Sequence, residues 1–450
     1  MVKTLKTGSE GVRGVVGDSL TPQLLIGFAQ AFGTYLSGGT VVLGRDTRPS
    51  GEMVRNALVG GLMATGCKVI DVGVAPMPSI QHAVRRHHAD GGIAITASHN
   101  PQQWNALKFI WRDGILLRPY QAQELLSVYY QGNFDLVRSE ALGSVEDDRG
   151  AIEAHLSELL QLLGDDFDLI TNRQFRVAVD CCNGAGALAT ETFLYALGCE
   201  VMLINETPDG LFAHDPEPIP ENMRDLAEAV RDSGVDIGFA QDADADRACL
   251  VNERGEPLNE EFTHALCCDA LPCDQPGPIV TNLSASRIID EAAARHDRQV
   301  IRTSVGEINV VEGMLRNKAA LGGEGNGGVI WPKLHHCRDS FAAIALILAG
   351  LARRGGTVSD WQRSFAPAAI VKYKVECSAS DAHPLMMALR DEYADEQIDL
   401  TEGVRVTWPD RSWLHVRPSN TEPIIRVTAE ADDEATAEAK AARALEILQR

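Results

Sequence analysis

The sequence predicts an α/β protein of several domains: three tandem mixed-sheet α/β units followed by a smaller C-terminal α+β domain. Three observations carry that expectation. The chain has 450 residues, and at about 100–200 residues per domain it divides into several. Short β-rich runs alternate with helical stretches through most of its length, the rhythm of βαβ units. Near residue 366 the order changes, and strands come to outnumber helices.

In the first unit, "TVVLG" (40–44) reads as a strand and "RDTRPSG" as a turn. A helix follows over residues 52–65, with Val54, Leu58 and Leu62 on one face. "CKVIDVG" (67–73) is the next strand, and a helix from about Ser79 leads to "GIAIT" (92–96). The second unit runs through "FRVAVD" (175–180), a Gly turn, a helix from about Ala187 and "CEVMLIN" (199–205). A helix over 222–233 and "VDIGFA" (235–240) complete it. The third comprises "GPIVTN" (277–282), a helix at 286–295, "QVIRTS" (299–304) and a helix over 307–317. The last stretch holds "IVKYKVEC", a helix over 382–393, "GVRVTW", "SWLHVRP", "PIIRVTAEA" and a final helix from about Asp433. The expected domains are residues 1–150, 151–252, 253–365 and 366–450.

Composition narrows the function. A net charge of -22 argues against non-specific nucleic-acid binding, which needs a basic surface. Ten cysteines in a chain this large do not make a disulfide scaffold and read as buried thiols. His335, His336 and Cys337 have no second ligand pair at zinc-like spacing. The apolar run "FAAIALILAG" (341–350) is too short for a bilayer, which takes about 20 residues, and reads as a buried helix. The opening "MVKTLKTGSEGVRG" has no apolar h-region. A cytoplasmic protein without membrane or nucleic-acid partners is expected, as a monomer or homodimer.

Each unit carries one polar loop. In "TASHNP", Ser98 lies just past an apolar strand, where open α/β sheets bind ligands. A serine there is either a nucleophile or phosphate carrier, or a turn residue. In "QDADADR", Asp242, Asp244 and Asp246 alternate at a strand end. Oxygen ligands at this spacing suit a hard cation such as Mg2+ or Ca2+, and the distal Gly and Glu of an EF-hand are missing. "GGEGNGG" (322–328) is a turn, or a close-approach loop whose Glu324 and Asn326 read hydroxyls. "RPSNTEPIIR" (417–426) sets Arg417, Ser419, Asn420, Thr421 and Arg426 around a tight turn, a phosphate nest or a plain hairpin. A rival signal is "GAGALA" (184–189) with Glu206 beyond it, which fits a dinucleotide site and would suit an NAD-type dehydrogenase.

Together and in this order, the four loops resemble those of the α-D-phosphohexomutase family. The resemblance spans nearly the whole chain, from "GVRG" at Gly11 to Arg426. It implies the four-domain phosphohexomutase architecture and an intramolecular phosphotransferase that interconverts a hexose 1-phosphate and 6-phosphate. It further implies that Ser98 carries a phosphoryl group, that a 1,6-bisphosphate forms and turns over in the cleft, and that hexose 1,6-bisphosphate primes the enzyme. Asp242, Asp244, Asp246 and a phosphoserine oxygen would hold one Mg2+. Arg247, Arg13 and Lys108 match family positions near the phosphoserine. His99 is a candidate acid/base or a loop-orienting residue. Glu324 and Asn326 would bind sugar hydroxyls; Arg417, Ser419, Asn420, Thr421 and Arg426 would hold the phosphate that is not transferred. A mobile fourth domain would close the cleft.

The chain departs from the common bacterial pattern at Ala243 and Asn420, each in place of Gly. Its sugar loop reads Gly-Glu-Gly-Asn-Gly-Gly where the bacterial form is Gly-Glu-x-Ser-Gly-His. That variant looks like the archaeal-type phosphoglucosamine mutase form and favours glucosamine phosphate, with glucose and mannose phosphates as alternatives. A non-catalytic sugar-phosphate binding protein on the same scaffold is the remaining alternative.

Overall fold

The computed structural model describes residues 5–8, 11–272, 275–419 and 424–448. They form four sheets, one for each expected unit. In the first, seven strands lie in the spatial order Lys6–Gly8, Gly11–Val15, Trp104–Trp111, Gly91–Ile95, Thr40–Arg45, Lys68–Val74 and Val145–Asp147. Thr40–Arg45 runs parallel to both Lys68–Val74 and Gly91–Ile95, as βαβ connections require. Both faces are covered. Val41, Leu43, Ile93 and Ile95 join Phe28 and Phe32 in one apolar cluster, while the alternate residues Val42 and Ala94 join Ile80 and Val84 in another.

Eight of the twenty described strands escaped the sequence reading, and two of them carry site residues. Trp104–Trp111 pairs antiparallel with Gly91–Ile95, and Gly11–Val15 pairs antiparallel with Trp104–Trp111. Their apolar runs are interrupted by Asn105 and Lys108 and by glycines, so period-two patterning is weak. These two strands carry Lys108 and Arg13.

The second and third sheets have four strands each, in the orders Ala248–Asn252, Ile237–Gln241, Arg176–Asp180, Glu200–Ile204 and Val300–Thr303, Ile279–Asn282, Leu321–Gly323, Val329–Ile330. Both are mixed. They share one apolar cluster that includes Phe193, Phe239, Trp331 and Trp361. Its centre is the helix Ser340–Arg354, which contains the expected apolar run and is buried from Ser340 through Leu351. Among the described residues, no helix is long and apolar enough to cross a membrane.

The fourth sheet is antiparallel throughout, in the order Ala369–Glu376, Ile424–Ala431, Trp413–Pro418, Val404–Thr407, Gln397–Asp399. It has its own core, to which the helix Glu434–Leu448 contributes Ala441, Ala444 and Ile447. Polar contacts join it to the third sheet's domain. Arg405 Nε donates to the Leu283 carbonyl at 2.9 Å, Val305 N to Glu402 at 2.6 Å, and Lys372 pairs with Glu260 at 2.6 Å. Nine cysteines are described; all are free thiols and eight are buried.

Candidate active site

All four polar loops leave the carboxyl end of a strand: after Ile95, Gln241, Gly323 and Pro418. In the three α/β domains that is the end at which open α/β sheets bind ligands. The first two loops meet. Ser98 is 5% exposed and its Oγ donates to Asp242 Oδ2 at 2.7 Å. Thr96 Oγ1 accepts from Ser98 N at 3.0 Å and donates to Asp244 Oδ2 at 3.1 Å. Ser98 has φ +48° and Ala245, in the aspartate loop, has φ +53°. Each left-handed non-glycine residue costs about 1–2 kcal/mol, so tertiary contacts must hold both turns.

Sheet register delivers the nearby cations. Lys108 stands opposite Ala94 on the neighbouring strand, and its ammonium lies 2.8 Å from Asp244 Oδ2 and 3.7 Å from Asp246 Oδ2. Arg13 stands opposite Ala106, one strand further out, and its Nη1 donates to Asn100 Oδ1 at 2.9 Å. Arg247 follows the aspartates; its backbone N donates to Asp242 Oδ1 at 3.2 Å, and its Nε lies 3.5 Å from Asp246 Oδ1.

The three aspartates are at most 1% exposed, and one ligand oxygen from each lies within 4.8 Å of the others. Asp244 Oδ1 and Asp246 Oδ1 are buried and accept no hydrogen bond. Buried carboxylate oxygens without donors are costly. An all-oxygen set with two open acceptors fits a hard divalent cation. Burial, with Asp244 and Asp246 alongside, pushes the Asp242 carboxyl well above its usual range. Burial pushes Asp244 in the same direction, but Lys108 overrides it and holds Asp244 low.

The two candidate proton carriers are set apart. Burial works against the Lys108 charge, yet Asp244 and Asp246 raise its ammonium above the usual value. Burial, with Arg247, Arg13 and Arg338 around it, lowers His99 well below the usual imidazole value, and its Nδ1 is buried without a hydrogen-bond partner. Lys108 is therefore cationic and His99 neutral at pH 7.

Glu324 is 3% exposed and tightly held. Its Oε1 accepts from Asn282 Nδ2 and Gly306 N, both at 3.0 Å, and Arg338 Nη1 lies 3.3 Å from its Oε2. Asn326 Oδ1 accepts from Gly328 N at 3.1 Å, closing its own turn. In the fourth domain Arg417 stands opposite Arg426 on adjacent strands, and Ser419 N donates to the Ile424 carbonyl at 2.8 Å. Arg417 Nη1 donates to Glu402 at 3.1 Å. Burial lowers Arg417, with Glu402 and, across the domain boundary, Glu324 opposing. Asn420 and Thr421 lie outside the described residues.

The dinucleotide-like "GAGALA" turn has another explanation. Ala185 N donates to the Ala243 carbonyl at 2.8 Å, and a Cβ at Gly184 would sit 2.6 Å from that oxygen. A Cβ at Gly186 would overlap Gln241 Oε1. These glycines let the aspartate loop approach. His335 belongs to a buried network, its Nε2 and that of His155 both 2.9 Å from Asp339 Oδ2.

Two arginines escaped the sequence reading. Arg48 is fully buried; its Nη2 donates to the carbonyls of Ser98 (2.7 Å) and Asn100 (2.6 Å), and its Nη1 to those of Pro101 (2.8 Å) and Trp104 (3.1 Å). Its Nε pairs with Asp46 at 3.0 Å. The available signal was an Asp-Thr-Arg sequence directly after a strand, which reads as an ordinary turn. Arg338 joins Asp246, Glu307 and Glu324. It follows the His-His-Cys run and has no spacing relation to either loop.

The four domain models of the phosphoglucomutase/phosphomannomutase family match residues 4–135, 153–255, 259–368 (alpha/beta/alpha domains I, II and III) and 373–447 (C-terminal domain). The chain belongs to this family. It is 38% identical to a probable phosphoglucosamine mutase of Methanopyrus kandleri, over 95% of this chain and 94% of that one. It is 36% identical to a phosphoglucomutase/phosphomannomutase of Thermococcus kodakarensis, with the same coverage. A crystal structure of a family protein from Burkholderia thailandensis superposes with a TM-score of 0.85 at 25% identity, over 98% of this chain and 96% of that one. The chain is thus a phosphohexomutase, an isomerase-class enzyme that moves a phosphoryl group within one sugar.

Proposed function

We propose that Ser98 is the phosphoryl carrier and that glucosamine phosphate is the preferred substrate. One observation carries the first part: the Ser98 hydroxyl of the first domain bonds Asp242 of the second at 2.7 Å, inside a buried set of three carboxylates. A turn serine needs no such partner. In the first half-reaction the Ser98 Oγ–P bond breaks and a P–O bond forms to the free hydroxyl of the hexose monophosphate. The hydroxyl proton passes to a general base; His99 is the candidate by residue type, and burial with Arg247, Arg13 and Arg338 keeps its basicity low until substrate anions enter. Oγ takes up a proton as it departs, and the Lys108 ammonium neutralises the charge developing there. The 1,6-bisphosphate turns over within the cleft, and its other phosphoryl group returns to Ser98 by the reverse chemistry.

Positioning and charge neutralisation dominate such transfers. Mg2+ held by Asp242, Asp244, Asp246 and a phosphoserine oxygen would supply Lewis-acid neutralisation of the moving group. Arg13 and Arg247 add fixed positive charge, Glu324 and Asn326 read hydroxyls, and Arg417, Ser419, Asn420, Thr421 and Arg426 hold the idle phosphate. Hexose 1,6-bisphosphate serves as primer. The free cysteines fit a reducing compartment such as the cytoplasm.

The sugar assignment rests on the Gly-Glu-Gly-Asn-Gly-Gly loop and on the Methanopyrus relative named for that activity. Its test is kcat/KM for glucosamine, glucose and mannose 1-phosphates with Mg2+ and a sugar bisphosphate primer, because specificity is a ratio of those values. Glucosamine 1-phosphate should lead. A higher ratio for either neutral hexose overturns the assignment.

A further inference from the structure

We propose that Arg338 is a positioning residue that locks the metal loop to the sugar loop, so that one guanidinium orients both Asp246 and Glu324. The proposal rests on the reading of those two loops given above. Arg338 Nη2 donates to Asp246 Oδ2 at 2.7 Å, and Nη1 lies 3.3 Å from Glu324 Oε2. Nη2 is also 3.2 Å from Glu307 Oε2. The planar fork holds the two nitrogens at a fixed separation and angle, so the two carboxylates cannot reorient independently. With Oδ2 engaged, Asp246 presents Oδ1, which accepts no hydrogen bond, to a cation.

The backbone that aims this fork is itself fixed. Arg338 N donates to Glu307 Oε1 at 3.3 Å, and Asp339 N to the Val329 carbonyl at 2.8 Å. Asp339 Oδ1 caps the helix Ser340–Arg354 through Phe341 N at 2.9 Å, while its Oδ2 accepts from His155 and His335. Ser340 Oγ donates to the Ala245 carbonyl, inside the metal loop, at 2.7 Å. The Arg-Asp-Ser segment of the third domain therefore grips the second domain's metal loop twice.

Gly328 makes the path. A Cβ there would overlap Arg338 Cδ, so the arginine stem runs through the space a side chain at 328 would need. Glycine at 328 and arginine at 338 form one unit in this chain.

The test uses Arg338→Lys, which keeps the charge and loses the fork, and Gly328→Ala, which displaces the arginine without removing it. Free Mn2+ is titrated by electron paramagnetic resonance against each full-length protein without sugar. Loss of an outer-shell partner of a metal ligand typically weakens metal binding about 10–100-fold; a rise of that order in Mn2+ Kd is expected for Arg338→Lys, and a smaller one for Gly328→Ala. In turnover, both variants should raise the sugar-phosphate KM and the Mg2+ activation constant together, whereas Glu324→Gln raises KM alone. A purely structural role would lower kcat with the active fraction and leave both constants in place; that result, or unchanged Mn2+ affinity in both variants, overturns the proposal. The Mn2+ titration needs no substrate, so it stands even where the glucosamine assignment fails.

Discussion

Arg48→Lys should uncouple folding from function in an instructive way. Arg48, itself fully buried, satisfies four carbonyls of the 98–104 segment and pairs with buried Asp46. A lysine ammonium can keep the Asp46 pair and reach one or two carbonyls, but it cannot span a fork. At least two charge-assisted hydrogen bonds are lost, each about 1.5–3 kcal/mol. The expected destabilisation is roughly 3–6 kcal/mol, below most of the 5–15 kcal/mol range typical of a folded domain, so the variant should still fold. Arg48→Met would add an uncompensated buried Asp46, a further cost of about 3–5 kcal/mol, and is the less useful variant.

The activity loss should exceed what stability predicts. Ser98 sits at φ +48°, and the Arg48 bond to its carbonyl opposes relaxation of that turn. A shift of about 1 Å in a reacting group costs on the order of 100-fold in rate. Thermal unfolding, kcat below the transition, and phosphoserine occupancy by intact mass are the three measurements. The expected result is a lowered first transition with a drop of about 100-fold in kcat among molecules that remain folded. Wild-type turnover in Arg48→Lys would refute the claim that this arginine shapes the Ser98 turn.

Three further outcomes are expected. Ser98→Ala should abolish turnover and the phosphate adduct seen by mass spectrometry, while the protein stays folded with stability lowered by no more than about 1.5–3 kcal/mol for the lost bond to a carboxylate; residual full turnover would exclude the carrier role. Asp244→Asn should weaken Mn2+ binding and leave Lys108 without its nearest counter-ion, so its activity should not be rescued by raising Mg2+ alone; full rescue would argue against the Lys108 link. His214, for which burial opposes the charge but Asp180 prevails, is raised to about 9. A raised folded pKa contributes stability below about pH 6.5, no more than about 3 kcal/mol, and loses it as pH rises to about 9. His214→Gln should flatten the stability profile across that window, and an unchanged slope would remove the pair as its source.

Local pattern made the strand-end loops legible because each holds its chemistry in consecutive residues: Ser98 with its neighbours, the aspartates at period two, Glu324 and Asn326 among glycines. Lys108 and Arg13 were reached only through resemblance, since their strands are polar-interrupted and their approach to Ser98 is set by register across two antiparallel pairings. Arg48 and Arg338 were invisible for a different reason. Apart from Asp46, their partners lie 50–56 and 14–92 residues away, and an arginine in a turn looks the same whether it is solvated or buried on four carbonyls. "GAGALA" shows the converse: a spacing that fits one ligand site arises here from the close approach of a neighbouring loop.

The charges explain why the site lies where domains meet. Five buried carboxylates, Asp242, Asp244, Asp246, Glu307 and Glu324, face the cations Lys108, Arg247 and Arg338. The second domain supplies all three aspartates but only Arg247, so alone it could not hold them ionised out of water. The first domain adds Lys108 and the third adds Arg338, and both reach the aspartates across a domain boundary. Two negative charges are still left over, which is why burial and its neighbours drive Asp242 upward and why one divalent ion suits the set. The proposed phosphoserine and sugar phosphate would bring further negative charge, and the fourth domain holds Arg417 and Arg426 on a sheet that makes polar contacts with the third domain. On the reading proposed above, the fourth domain would bring the last cations that the substrate requires as it closes on the cleft.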